Sequence, residues 1–350
     1  MGGLEGRYER ARNWVEQHLD FSKVGRVIVF ETVIRNLGGL LSMYHLSGDV
    51  MFLRKAEELA VRLASSFDST YGLPWPRCHL NRPGVCENHE QLGDSLYLAE
   101  VGSIQLEFRA LSHHSKASVS HVLRNASERV IEVLQDAQSV VGRLQAPHDA
   151  LLPFSMSRST GRYSTNLVTL GAPADSYFEY LVKTWIQGGM KEDRQWGRFK
   201  RVVDSMVELA TYESKHGDVI VMDVVVSQNG TVQFQKKMDH FACYIPGMIV
   251  LGMRGLGEKE AERRRRWEWV ATQLTETCYK MYAKSPSGLA GEHIRLGAND
   301  EWRMTGGYEL RPEAVEAFFY MYRHSGEDKY RRSRSYDLTN GYLIQKLIHY

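Results

Sequence analysis

The chain has 350 residues, 43% of them from the set AVILMFWYC, so roughly 150 apolar side chains are available, enough for one large core or two ordinary ones and far too many for a disulfide-stapled miniprotein. Charged residues make up 25%, and 44 Lys+Arg against 42 Asp+Glu leave a net charge of +2, which fits neither an acidic disordered tail nor a basic nucleic-acid binder. The longest apolar stretches, Leu37 to Leu46 and Phe241 to Met253, fall short of the ~20 residues a bilayer requires and are interrupted by Gly, His or Pro, so no membrane span is expected.

The start, Met1-Gly2-Gly3-Leu4-Glu5-Gly6, has neither the cationic nor the apolar region of a secretory leader, and position 6 is not the Ser or Thr of a myristoylation signal. A helix around Trp14-Val15-Glu16 comes first. Apolar positions then run Val33, Ile34, Leu37, Leu40, Leu41, Tyr44 and, after Gly48-Asp49, Phe52, Leu53, Ala56, Leu59, Ala60, Leu63, Phe67, both with helical period, which predicts a helical hairpin. The pattern recurs over Asp94 to Ser112, His121 to Leu144, Ala174 to Gly188, Arg201 to Ser214, Glu260 to Tyr282 and Pro312 to His324. One segment departs from it: the β-branched run Val219 to Val226 leads through Gln228-Asn229-Gly230-Thr231 into Val232-Gln233-Phe234, a β-hairpin near 219–235 with a type I′ Asn-Gly turn. Successive helix pairs that must bury their stripes against one another predict an all-α fold, either an α-hairpin barrel or an α-solenoid, and no linker marks a second domain.

Several features carry two readings. Cys78, Cys86, Cys243 and Cys278 match no zinc or Cys-x-x-Cys spacing and read as buried free thiols. The sequons Asn125-Ala126-Ser127 and Asn229-Gly230-Thr231 are compatible with a lumenal protein. The run Arg263 to Arg266 lies among Glu258, Glu260 and Glu262 and reads as a solvated helix face. His240 and His293 have no second His at metal-ligand spacing and read as structural.

The chemistry-bearing candidates are three carboxylates at or near predicted helix starts: Glu31, Asp175 after Pro173-Ala174, and Glu313 after Arg311-Pro312. Taken singly, each reads as a first-turn acid favoured by the helix dipole. In a barrel, alternate helices point their N-termini to one end, which would gather all three around one cavity. Such a set suits glycoside hydrolysis, where one carboxylic acid protonates the leaving oxygen and a carboxylate activates water or attacks carbon. The dipole favours an ionised Glu313, whereas an acid role for Glu31 requires burial or a neighbouring anion such as Asp175. The 12 Phe, 7 Trp and 18 Tyr would suit a sugar-stacking cleft, although each taken alone reads as core.

Five blocks then resemble one family in order: Phe30-Glu31-Thr32-Val33-Ile34-Arg35-Asn36-Leu37-Gly38-Gly39-Leu40-Leu41-Ser42; Leu98-Ala99-Glu100-Val101-Gly102 through Gln105-Leu106-Glu107-Phe108; Gly171-Ala172-Pro173-Ala174-Asp175-Ser176-Tyr177-Phe178-Glu179-Tyr180-Leu181; Met238-Asp239-His240 through Pro246-Gly247; and Leu310-Arg311-Pro312-Glu313. Together they resemble class I α-mannosidases, glycosyl hydrolase family 47. The resemblance implies an (α/α) barrel, a secretory-pathway lumen location in the ER or Golgi, and calcium-dependent, inverting removal of α-1,2-linked mannose from high-mannose N-glycans. It assigns Glu31 as the acid acting through a water, Glu313 as the base, and Asp175 as a third essential carboxylate and alternative base. Arg35, Glu107, His240 and Arg311 would line the mannose cleft, and Cys243 with Cys278 would form the structural disulfide, whereas Cys78 and Cys86 have no counterpart in it.

The chain also departs from the family. Pro173 stands where relatives can carry a glycan-contacting arginine, so branch preference does not carry over. The resemblance covers 1–330 as a partial barrel, and 331–350 reads as a tail foreign to it; helices before Trp14 and the final hairpins are missing. With them would go the threonine that binds calcium directly, which Thr339 does not replace, so no metal ligand is assigned. Apolar faces left without neighbours and reduced calcium affinity follow. Beside the mannosidase reading stand an inert mannose-glycan-binding relative or incomplete gene product, and a helical scaffold without a sugar site.

Overall fold

A computed structural model describes residues 4–331; Met1 to Gly3, and Thr339 with the rest of 332–350, lie outside the described residues. Twelve α-helices run through the described part. After α1 (Glu5–His18), the short α2 (Val29–Glu31) widens through a π-helical turn, Thr32–Leu37, into α3 (Gly38–Ser47), and α4 (Val50–Leu63) folds back on α3. The reversal is encoded locally: Gly48 closes α3 in the left-handed region at φ +70°, and the Asp49 carboxylate accepts the Met51 amide at the start of α4. α5 (Leu98–Gly102) and α6 (Gln105–His114) follow, with α7 (Ser118–Asp136) packed on α6. α8 (Asp175–Gln187) pairs with α9 (Asp193–Ser205), and α10 (Ile245–Met253) packs against both α11 (Ala261–Ala283) and α12 (Glu313–Ser325).

The stripe predicted on α4 is the face it buries: Phe52, Ala56, Leu59, Ala60 and Leu63 enter the core. A second dense region joins α8, α9 and α11, where Trp185 stacks on Trp196 with ring centroids 4.5 Å apart and Phe199 meets the Trp267 edge at 5.8 Å. α10 approaches these rings through glycine: a Cβ on Gly252 would lie 2.1 Å from Phe199, and one on Gly255 2.4 Å from Trp185. One buried apolar cluster extends from Phe21 to Tyr330.

The structure departs from the sequence reading in several places. The helix expected over 94–112 is divided into a strand, Ser95–Tyr97, then α5 and α6, with non-helical Ser103 and Ile104 between them. The helix expected over 201–214 begins earlier, at Asp193, and ends through a π turn, Met206–Ala210, into the strand Thr211–Glu213. α10 lacks a detectable stripe because almost all of Ile245 to Met253 is buried, which erases any amphipathic period. Strands are also more numerous than one hairpin, forming five small antiparallel sheets among the described residues.

The expected hairpin exists in altered form. Asp223–Val226 pairs with Val232–Gln235, with Val226 opposite Val232, while Val219–Val221 pairs back onto Thr211–Glu213. A type I′ turn needs positive φ at two residues, but only Gly230 has it, at +84°, so the tip is a three-residue Gln228–Gly230 loop. The free-thiol reading is overturned: Cys78 bonds to Cys86 across adjacent strands, and Cys243 to Cys278, the pair the family resemblance implied, tying the turn before α10 to α11. The arginine run behaves as a helix face: Arg263 pairs with Asp204 at 3.1 Å and Arg266 with Glu208 at 2.9 Å. No described helix is long and apolar enough to cross a membrane.

Candidate active site

The starts of α5, α8 and α12 and the α2–π turn meet at a cavity of about 590 Å³ lined by Glu31, Arg35, Asp175, Arg311 and Glu313, together with Glu100, Glu179 and Glu316 and the rings of Phe30, Tyr97, Phe241 and Tyr244. Asp175 and Glu313 are the first residues of α8 and α12, so helix direction alone carries both into the same space. Glu31 arrives differently. The strand Arg26–Ile28 pairs with Arg77–His79, and Thr32 Oγ1 donates to Ile28 O at 2.7 Å, which directs the chain from this sheet into the widened turn. π turns recur at functional positions because the extra residue re-aims a side chain.

The three acids sit in different surroundings. Glu31 forms an ion pair with Arg35, whose side chain is 72% exposed. Asp175 is partly buried and accepts the Ser176 amide at 2.7 Å; desolvation, with the charges of Glu179 and Glu313 adding to it, pushes its carboxyl up to about 6. Glu313 Oε2 is buried without a hydrogen-bond partner and lies 3.6 Å from His240 Nδ1, itself unpartnered. The other nitrogen of His240 meets the Tyr282 hydroxyl at 2.7 Å, which fixes the imidazole behind Glu313 rather than on the cavity wall.

Arg311 is clamped by Glu292 through Nε contacts of 2.9 and 2.7 Å and stacks over the Phe241 ring at 3.9 Å, so its guanidinium plane is fixed at the rim. Glu107, like His240, is an expected cleft residue absent from the lining. It is buried beneath Tyr180, whose hydroxyl donates to it at 3.0 Å; burial raises its carboxyl to about 7, and its Oε2 has no partner. His293 lies 3.2 Å from Asp239, as a structural histidine would.

Three carboxylates of the lining escaped the sequence reading. Glu179 stands four residues after Asp175 and Glu316 three after Glu313, spacings that place each on the same helix face as its partner, so the signal was available once those two acids were chosen. Glu316 is pushed up to about 7 by burial and by the charges of Glu179 and Glu313, while Glu179 pairs with Lys183. Glu100 is buried and meets His89 Nε2 at 3.0 Å.

Calcium takes 6–8 oxygen ligands. Among the described residues no group of three or more His, Cys, Asp or Glu is arranged to hold a metal. Two of the cavity acids are held by cations, Glu31 by Arg35 and Glu179 by Lys183. These donors do not fit a calcium cage, and Thr339 lies outside the described residues.

Helix starts thus bring these carboxylates to one cavity, and comparison with known proteins gives the chain a family. The glycosyl hydrolase family 47 profile matches residues 1–338, and the chain belongs to that family. It is 37% identical over 339 residues to the endoplasmic reticulum mannosyl-oligosaccharide 1,2-alpha-mannosidase of Homo sapiens, covering 94% of this chain and 45% of that protein. Identity is 34% over 335 residues with a mannosyl-oligosaccharide 1,2-alpha-mannosidase of Arabidopsis thaliana, covering 94% and 56%. The chain thus spans about half the length of these relatives. The fold matches that of an alpha-1,2-mannosidase from Trichoderma reesei with TM-score 0.80 at 21% identity, over 95% of this chain and 71% of that one.

Proposed function

We propose that this chain forms the catalytic wall of an inverting α-1,2-mannosidase that trims high-mannose N-glycans in the secretory-pathway lumen. The observation that carries the reading is the convergence of Glu31, Asp175 and Glu313 on one cavity of about 590 Å³, a volume suited to a sugar. The names of the relatives support the substrate class, and the endoplasmic reticulum name of the human one supports the compartment.

Glu313 acts as base. It sits at the N-terminus of α12, where the dipole favours its charge, and its carboxylate lines the cavity, where it can accept a proton from water. As that water attacks the anomeric carbon, the bond to the leaving oxygen breaks and the anomeric configuration inverts. Glu31 supplies the leaving oxygen with its proton through a second water. Arg35 must first turn away, and its exposure leaves it free to swing to a sugar hydroxyl. Asp175, deeper in the wall, is the alternative base and holds the attacking water. Arg311, stacked on Phe241, offers rigid donors to mannose hydroxyls. Calcium dependence is a property of the family, and no step here is routed through the ion because the described cavity residues do not fit it.

Mannose release from a high-mannose N-glycan, followed by proton NMR, should give β-mannose as the first product. Glu313→Gln and Asp175→Asn should each lower the rate by about 10²–10⁴, the usual range for losing a positioned acid or base. Release of α-mannose, or release indifferent to Glu313→Gln, would contradict the proposal; glycan binding without release would favour the inert relative.

A further inference from the structure

We infer that Asn229, at the tip of the hairpin joining Asp223–Val226 to Val232–Gln235, is an N-glycosylation acceptor. The inference goes beyond the mannosidase reading and borrows only its lumenal location.

Both sequons have the required residue types, but the fold treats them differently. Asn229, Gly230 and Thr231 are all exposed, in a loop outside the β-ladder. Asn229 Oδ1 accepts the Thr231 amide at 3.1 Å and also the Ser227 hydroxyl, which turns the side-chain amide and the threonine to the same side of the chain. Neither Asn229 Nδ2 nor Thr231 Oγ1 is engaged by a described residue, so both atoms that a transferase must reach are open to it. Asn125 lies within α7, where 100° per residue sets it about 200° around the helix from Ser127. The Ser127 hydroxyl donates to Arg124 O at 2.9 Å from a buried residue, so presenting that sequon requires opening the helix.

Space for the sugar is also present. Between the hairpin tip and the segment 135–149 lies a cavity of about 770 Å³ lined by Gln138, Ser139, Gly142, Gln145 and Asn229, rich in amide and hydroxyl groups that suit sugar hydroxyls. Gln228 Nε2 donates to Val140 O at 3.2 Å and holds the tip beside it. None of its lining residues is shared with the carboxylate cavity.

The group transfer balances with a lipid-pyrophosphate-linked oligosaccharide as co-reactant. Asn229 Nδ2 bonds to the sugar C1, the C1–O bond to pyrophosphate breaks, the lipid pyrophosphate leaves with the electron pair, and a base of the transferase takes one amide proton.

The test translates the full chain behind a cleavable leader in the presence of microsomes and examines the protease-protected product. A mass gain removed by peptide-N-glycosidase is expected, with Asn229 converted to Asp and Asn125 unchanged in the peptide map; Asn229→Gln and Thr231→Ala should each abolish it. A protected chain with no sugar on Asn229, or with sugar on Asn125 alone, overturns the proposal. Mannose release by the unglycosylated chain is measured separately, so failure of the catalytic reading is not confused with failure of this one.

Discussion

Replacing Asp175 by Asn should stabilise the protein at neutral pH while slowing turnover by about 10²–10⁴. In the folded chain burial raises this carboxyl from 3.8 to about 6, and with each pKa unit worth about 1.4 kcal/mol, ionising it in place costs about 3 kcal/mol. The folded state therefore binds a proton that the unfolded state releases between these two values. Stability falls as pH rises through that window, the full cost is present above about 6, and none is present below 3.8. Asparagine is neutral throughout and keeps the oxygen that accepts the Ser176 amide. The variant should then exceed the wild type by up to about 3 kcal/mol at pH 7.5 and match it near pH 3.5. At ~2.1 cal/mol/K of unfolding entropy per residue this is a Tm rise of about 4 °C for a chain of this size. Urea titration of both proteins at the two pH values, followed by tryptophan fluorescence, measures the difference. An Asn variant less stable at pH 7.5, or a gain that persists unchanged at pH 3.5, would refute the claim that desolvation sets the cost. The exchange of stability for a poised catalytic group is a common one.

Mannose release should fall about tenfold per pH unit below about 6, as Asp175 takes up its proton; a rate flat to pH 4.5 would remove Asp175 from the reaction. Loss of the Cys243–Cys278 bridge, which spans 35 residues, should cost about 3.8 kcal/mol, against about 2.5 kcal/mol for Cys78–Cys86, which spans 8, when each pair is changed to serine and unfolding is followed in denaturant. Gly252→Ala should destabilise by about 1–3 kcal/mol in the same assay, because its methyl would meet Phe199, a ring already held by Trp196 and Trp267. Gly48→Ala should cost less, about 1 kcal/mol, since its strain is in the backbone and nothing lies within 4 Å of the added carbon.

Much of the architecture was legible because it is written in local chemistry. The α3–α4 hairpin follows from two apolar stripes, a glycine at φ +70° and the Asp49 cap, all of which act within a few residues. α8, α11 and α12 appear within a residue or two of their periodic segments because each keeps one wet face. Helix starts after Pro173-Ala174 and Pro312 were readable for the same reason, and with them the positions of Asp175 and Glu313. The five family blocks extended this to Glu31, which local pattern alone would have left as a first-turn acid.

Contacts between distant segments decided the rest. α10 is buried on nearly every side and so has no period to read. The short strands owe their existence to partners far along the chain: Arg26–Ile28 pairs with Arg77–His79, and Lys237–Asp239 with His293–Leu296. Cys78 finds Cys86 only because that sheet sets the two residues opposite each other. Glu107 carries a motif that points to the cleft, yet the packing of Tyr180 over it puts it under the wall. The amino-acid sequence by itself determined the amphipathic helices, the Asp49 cap and the positions of Asp175 and Glu313, since those depend on neighbours within one or two turns. Only the tertiary structure decided which acids are dry, which face a cation and which share a cavity, because desolvation and charge proximity are set by residues that may stand hundreds of positions away.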